Sequence, residues 1–180
     1  MWRTGFYRLR QFWRGWFATI APTEMEAALA HLPAAAQVQF QRLPKDAQRH
    51  SLNVLQTLQR RDVVSADLAA AALLHDIGKL AADETGLRIN LWVRGPLVLV
   101  EKFAPTLVQR WASAEVGQGW RYLLYVHLMH PAIGAKWATT WGCTALTCWL
   151  IEHHQDQLTA TPRDEAEQLL HLLQWADSSN

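Results

Sequence analysis

An all-α domain is the fold class this 180-residue sequence predicts, on three observations. Apolar residues recur at helical spacing through nearly every stretch of the chain. No run of any length alternates polar with apolar as a strand would. The interruptions are isolated Pro and Gly positions, with neither an internal repeat nor a linker. Half the residues are hydrophobic, 18% are charged and the formal net charge is +1. That composition excludes a disordered chain and is too balanced for a dedicated nucleic-acid binder. A chain of this size buries well over half of its unfolded surface in one domain. Roughly eight to ten helices are expected. Two counts stand out, ten Trp and eight His.

The elements follow in order. Residues 1–20 interleave Arg3, Arg8, Arg10 and Arg14 with seven aromatics and no acid. Pro22 breaks that run. Thr23 with Glu26 has the spacing of a capping box and opens a short helix toward His31. Residues 34–43 supply another turn or two. Pro44 suits the first turn of a helix that carries Ala47, Leu52, Leu55 and Leu58 on one face. Ser65 is the expected N-cap of an Ala/Leu segment, apolar almost all round and therefore central and buried. Gly78 is expected to end that helix. Residues 88–112 form an amphipathic run punctuated by Gly95-Pro96 and Pro105. Four more helical patterns follow, divided at Pro131, Gly142 and Thr161-Pro162. The chain divides into an N-terminal helical extension, 1–43, and a main domain, 44–180.

Cys143 and Cys148 lack a second pair, so they build neither a disulfide framework nor a four-thiolate zinc site. They read as small core residues in a reducing compartment. No stretch reaches the ~18 uncharged apolar residues of a spanning helix. The N-terminus has no signal-peptide pattern, and the expected location is cytoplasmic. Residues 1–20 have two readings. Trp2, Trp13 and Trp16 could sit at lipid headgroups with arginines on anionic lipid, giving peripheral membrane contact. Alternatively the aromatics pack on the domain and leave the arginines wet, which is the default.

The chemistry lies in polar residues that break apolar patterns. His75 and Asp76 end the Ala/Leu segment, where burying an imidazole and a carboxylate is costly unless something binds them. A divalent cation accepts both as ligands. The fuller string LLHDIGK resembles the HD superfamily of metal-dependent phosphohydrolases, particularly its HDIG subgroup, over about residues 46–177. His50 in RHSLNVL matches the family's first histidine. HPAIG supplies His130, IEHH supplies His153 and His154, and QWAD supplies Asp177. Asp46, one turn before His50, matches a further acidic ligand of some HD-GYP-like members.

The resemblance implies a ligand set of His50, His75, Asp76, His130, His153, His154 and Asp177 around one or two divalent ions. Nitrogen and carboxylate donors without thiolate favour iron, manganese or zinc-like ions. Asp76 would be catalytic and would bridge two ions. Such a pair lowers the pKa of a shared water and clamps the attacking and leaving oxygens of a phosphoester. Lys79 would offset charge on a phosphoryl oxygen or orient the nucleophile. The implied reaction is hydrolysis of a phosphoester or phosphoanhydride in a nucleotide or related small molecule, with no duplex nucleic acid as partner. The alternative is a nucleotide-binding or signalling module without turnover. One departure matters. After the histidine pair the chain reads QDQLTATP instead of a D-G-x-G-Y-P-like loop, which tells against cyclic di-GMP. His127, one turn before His130, has two readings, a residue behind the ligands or against substrate and, as the default, a helix-surface histidine. His31 and His171 lack motif context and read as surface or boundary residues.

Overall fold

A computed structural model describes residues 19–61, 64–85, 105–158 and 161–180. Among these residues the fold is all-helical, with eight α-helices and no strand. The N-terminal aromatic-basic segment through residue 18 and the hydrophobic run over 89–100 lie outside the described residues.

Helix α1 (Pro22–Leu29) starts on proline, with Ala21 as an N-cap that offers no side-chain acceptor. The expected capping box does not form. Pro22 is already helical, so Thr23 falls inside the first turn, two places past the N-cap Ala21. Glu24 takes a different role. Its two oxygens accept from the Arg49 guanidinium at 2.6 and 2.7 Å, and Gln56 donates to it at 2.6 Å. This fork ties α1 to α3 (Lys45–Gln59). Helix α2 (Ala34–Arg42) lies between them in sequence. Ala28, Leu32, Ala36 and Phe40 are buried in the same core as α3 and the later helices. These four side chains therefore join the main core.

Helix α4 (Ala66–Leu74) is the centre of that core. Leu68 through Leu74 are all buried, as the apolar pattern predicts. The Ser65 hydroxyl caps it, accepting from the Leu68 amide at 3.2 Å. The α-helix ends at Leu74, and the chain tightens into a 3-10 helix over Ile77–Thr85. Gly78 does not end α4. It lies inside the tighter segment, against helix α6 (Trp120–Thr140). A Cβ on Gly78 would fall 2.1 Å from the His130 carbonyl oxygen and 2.8 Å from the Gly134 nitrogen. A Cβ on Gly134 would meet the Gly78 nitrogen at 3.2 Å. Two glycines face each other because two backbones touch there.

Helix α5 (Pro105–Trp111) and a 3-10 turn at Val116–Gln118 precede α6. The expected break at Pro131 is absent, and α6 runs through it for 21 residues. Helix α7 (Ala145–His153) is capped by Thr144, and α8 (Glu165–Ser178) by Asp164. Asp67, in the first turn of α4, also accepts from Thr147 at 3.0 Å, linking the starts of α4 and α7. No helix among the described residues is long and apolar enough to cross a membrane.

Candidate metal centre

Five elements bring their polar residues to one place. His50 comes from the middle of α3 and Asp177 from the last turn of α8. His75 and His154 are the C-cap residues of α4 and α7, Asp76 follows His75, and His130 lies midway along α6. They form two groups, His50–His75–Asp177 and Asp76–His130–His154, each with one ligand atom per residue within 4.8 Å of the others. The imidazoles pack edge to face in series. His50 to His75, His75 to His154 and His154 to His130 are 5.3, 5.2 and 5.3 Å between ring centres.

The carboxylates join the groups. Asp177 Oδ1 lies 2.8 Å from His50 Nε2 and 3.6 Å from His75 Nε2. Asp76 turns Oδ2 to His75 Nε2 at 3.7 Å, and Oδ1 to His130 and His154 Nε2 at 3.3 and 3.8 Å. Asp76 thus faces both groups. The Lys79 ammonium lies 2.5 Å from Asp76 Oδ1.

Hydrogen bonding decides what these rings offer. Nδ1 of His75, His130 and His154 lies 3.0, 2.7 and 2.7 Å from the carbonyl three residues earlier, that of Ala72, His127 and Ile151. A carbonyl only accepts, so each Nδ1 carries the hydrogen and each neutral ring presents a bare Nε2. All three Nε2 atoms are buried without a hydrogen-bond partner. The 3.3 Å approach of His130 Nε2 to Asp76 is therefore a meeting of two lone pairs. Three buried Nε2 acceptors turned toward carboxylate oxygens are unfavourable by themselves, and the two groups could hold a metal ion.

Burial sets the charge states. It pushes His75 below the usual imidazole range, against the opposing pull of Asp76 and Asp177. It takes His130 and His154 down to about 4. Burial alone would raise the Asp177 carboxyl, but the hydrogen bond with His50 and the pull of the neighbouring imidazoles overcome it and hold the group well below its ordinary value. Neutral imidazole and ionised carboxylate are the ligand-competent forms.

These shifts predict a pH dependence for the metal-free protein. Unfolded imidazoles protonate near 6.5, at about the model-peptide value. The folded rings of His130 and His154 stay neutral down to about 4. Between those limits the unfolded chain binds more protons, so stability falls as the pH drops from about 6.5 to about 4. Urea midpoints at descending pH should decline through this window, and a flat midpoint would contradict the assignment.

The sequence-predicted residues sort clearly. His50, His75, Asp76, His130, His154 and Asp177 are brought together. His153 is in neither group. Its Nδ1 is 2.6 Å from Asp156 Oδ2, and its ring lies against Trp149. Asp46 is exposed and also in neither. Cys143 and Cys148 are half-buried free thiols outside the cluster. His127, expected at the surface, is buried one turn before His130. Its carbonyl holding His130 has one local signal, the proline at 131.

Compared with protein-family models, with curated proteins and with solved structures, the chain gave no match.

Proposed function

We propose that this chain is a metal-dependent phosphohydrolase of the HD type, cleaving a phosphoester or phosphoanhydride of a nucleotide or related small molecule. The observation that carries the reading is the trio of buried, carbonyl-anchored imidazoles presenting bare Nε2 atoms toward Asp76 and Asp177. Supporting it, the residues assembled in space follow the order of the HD-type series His50, His75-Asp76, His130, His154, Asp177. The donors are nitrogen and oxygen without thiolate, which suits manganese, iron or zinc-like ions. A divalent ion bound by such donors supplies a water of lowered pKa and offsets charge on phosphoryl oxygens.

The chain's own residues supply the rest. Asp76 faces both groups, so one carboxylate orders the two halves of the centre. Lys79, held against Asp76 Oδ1 and mostly buried, places a positive charge beside the reacting position, where it would stabilise a developing phosphoryl charge. The chain between His154 and α8 reads QDQLTATPRD, and without a Gly-Tyr-Pro-like loop a mononucleotide or diadenosine polyphosphate suits this reading better than cyclic di-GMP.

The test is elemental analysis of the purified protein, followed by phosphate release from a panel of nucleotides and diadenosine polyphosphates with manganese, iron or zinc. Bindable divalent metal and metal-dependent release are expected. A protein that neither holds nor takes up divalent metal would sink the proposal. Tight nucleotide binding with no release under any of these ions would leave a binding module instead.

A further inference from the structure

Three histidines use the same anchor, but only two stand where a helix offers it. His75 and His154 are C-cap residues, and each donates from Nδ1 to the carbonyl two residues inside the last helical position. Carbonyls in the last turn have no helical N–H to accept, so a ring at the cap can take them. His130 makes the identical bond to His127 O, 2.7 Å away, ten residues before its helix ends. In a helix interior that carbonyl accepts from the backbone N–H four residues on. Here the residue four on is Pro131, which has no N–H and whose ring crowds that same carbonyl.

We infer that Pro131 is a positioning residue for the metal centre: it withholds the N–H that would engage His127 O, so that His130 Nδ1 takes this carbonyl and His130 Nε2 faces Asp76 as a bare donor. Pro131 builds a local copy of a helix C-terminus inside α6. The gain is that the longest helix can deliver a ligand from its middle, beside the Gly78–Gly134 contact, in the same tautomer as the two rings delivered from helix ends. The inference rests on the metal reading for its purpose, while the tautomer it asserts is independent of any ion.

The experiment uses the full chain and its Pro131→Ala variant. Long-range 1H–15N correlation spectra of the metal-free proteins at neutral pH report which ring nitrogen is protonated. In the parent, His130 is expected to carry its hydrogen on Nδ1, as do His75 and His154. In Pro131→Ala, the restored amide competes for His127 O, and the His130 signals should move toward the Nε2-protonated form while His75 and His154 stay put. Co2+ or Mn2+ titration should show affinity lowered by about tenfold or more, the usual scale for losing an outer hydrogen bond of a ligating histidine. Thermal stability should hold or rise, since the helix regains a bond.

A proline with only a structural role would change the melting temperature and leave tautomer and affinity untouched, and that result overturns the inference. An Nε2-protonated His130 in the parent overturns it too, even if the variant fails to fold. A parent chain that binds neither ion removes the metal reading, and the tautomer comparison then decides the role of Pro131 alone.

Discussion

Replacement of Asp76 by alanine is expected to remove both metal-dependent hydrolysis and metal-dependent stabilisation. The reason is its double placement, with Oδ1 toward His130 and His154 and Oδ2 toward His75. Of the two acids in the cluster, Asp76 is the one that approaches imidazoles of both groups. Losing it takes the carboxylate from one group outright and leaves the other with the single acid Asp177. An ion at a hundred times its dissociation constant stabilises the folded state by about 2.7 kcal/mol. For a chain of this length that is a rise of roughly 5–11 °C in melting temperature. The parent should show such a rise on adding Mn2+, and Asp76→Ala should show essentially none. Metal-dependent turnover should fall by about a hundredfold or more, since even outer partners of metal ligands cost up to that much. Asp177→Ala provides the graded comparison. It strips only the His50–His75 group, so bound metal should fall by part, with some thermal shift retained. An Asp76→Ala protein that keeps the parent's metal content and Mn2+ shift would remove Asp76 from the centre.

The ease of reading this chain differs from residue to residue for physical reasons. The burial of α4 was legible because an Ala/Leu segment apolar on every side has no face to give to water. The meeting of His75-Asp76 with His130 was legible because each sits in a short string whose glycine serves its placement. In HDIG and HPAIG the two glycines touch each other, which is why both strings end on one. What local rules missed were effects decided elsewhere in the fold. Pro131 reads as a helix boundary by its own chemistry. It is tolerated because the ring of the preceding residue, His130, takes up the carbonyl it leaves. Gly78 reads as a helix stop, yet its requirement comes from His130 and Gly134, more than fifty residues on. Thr23 and Glu26 have capping-box spacing, but Pro22 starts the helix two residues sooner than the box needs. His153 and His154 are indistinguishable in sequence. In the fold His154, the C-cap of α7, turns toward Asp76, and His153, its last helical residue, toward Asp156.

Gly78→Ala should be the most destabilising single methyl in the described chain. The added Cβ would lie 2.1 Å from His130 O, 2.8 Å from Gly134 N and 2.9 Å from His130 C, all backbone atoms. A flexible side chain could swing aside, but these atoms belong to the middle of α6 and move only if the helix moves. Relief therefore requires the 3-10 segment and α6 to separate, opening the core around Ile77, which is fully buried. Overpacking of this kind costs about 3 kcal/mol or more, or a fall of roughly 6–12 °C in melting temperature. Gly134→Ala should cost much less. Its nearest contacts are 3.2–3.3 Å, two of them methyl groups of Ile77 and Ile151, and alanine repays about 0.8–1 kcal/mol in helix propensity. Gly117→Ala, with nothing within 4 Å, should be close to neutral. The order Gly78, Gly134, Gly117 in urea midpoints is the measurement. The same displacement moves His130 relative to Asp76, because the two residues ride on the two segments forced apart. Any folded fraction of Gly78→Ala should accordingly lose Mn2+ affinity, whereas Gly117→Ala should keep it. A Gly78→Ala protein as stable as the parent would mean that the backbone contact between HDIG and HPAIG does not exist in solution, and the placement of His130 beside Asp76 would fall with it.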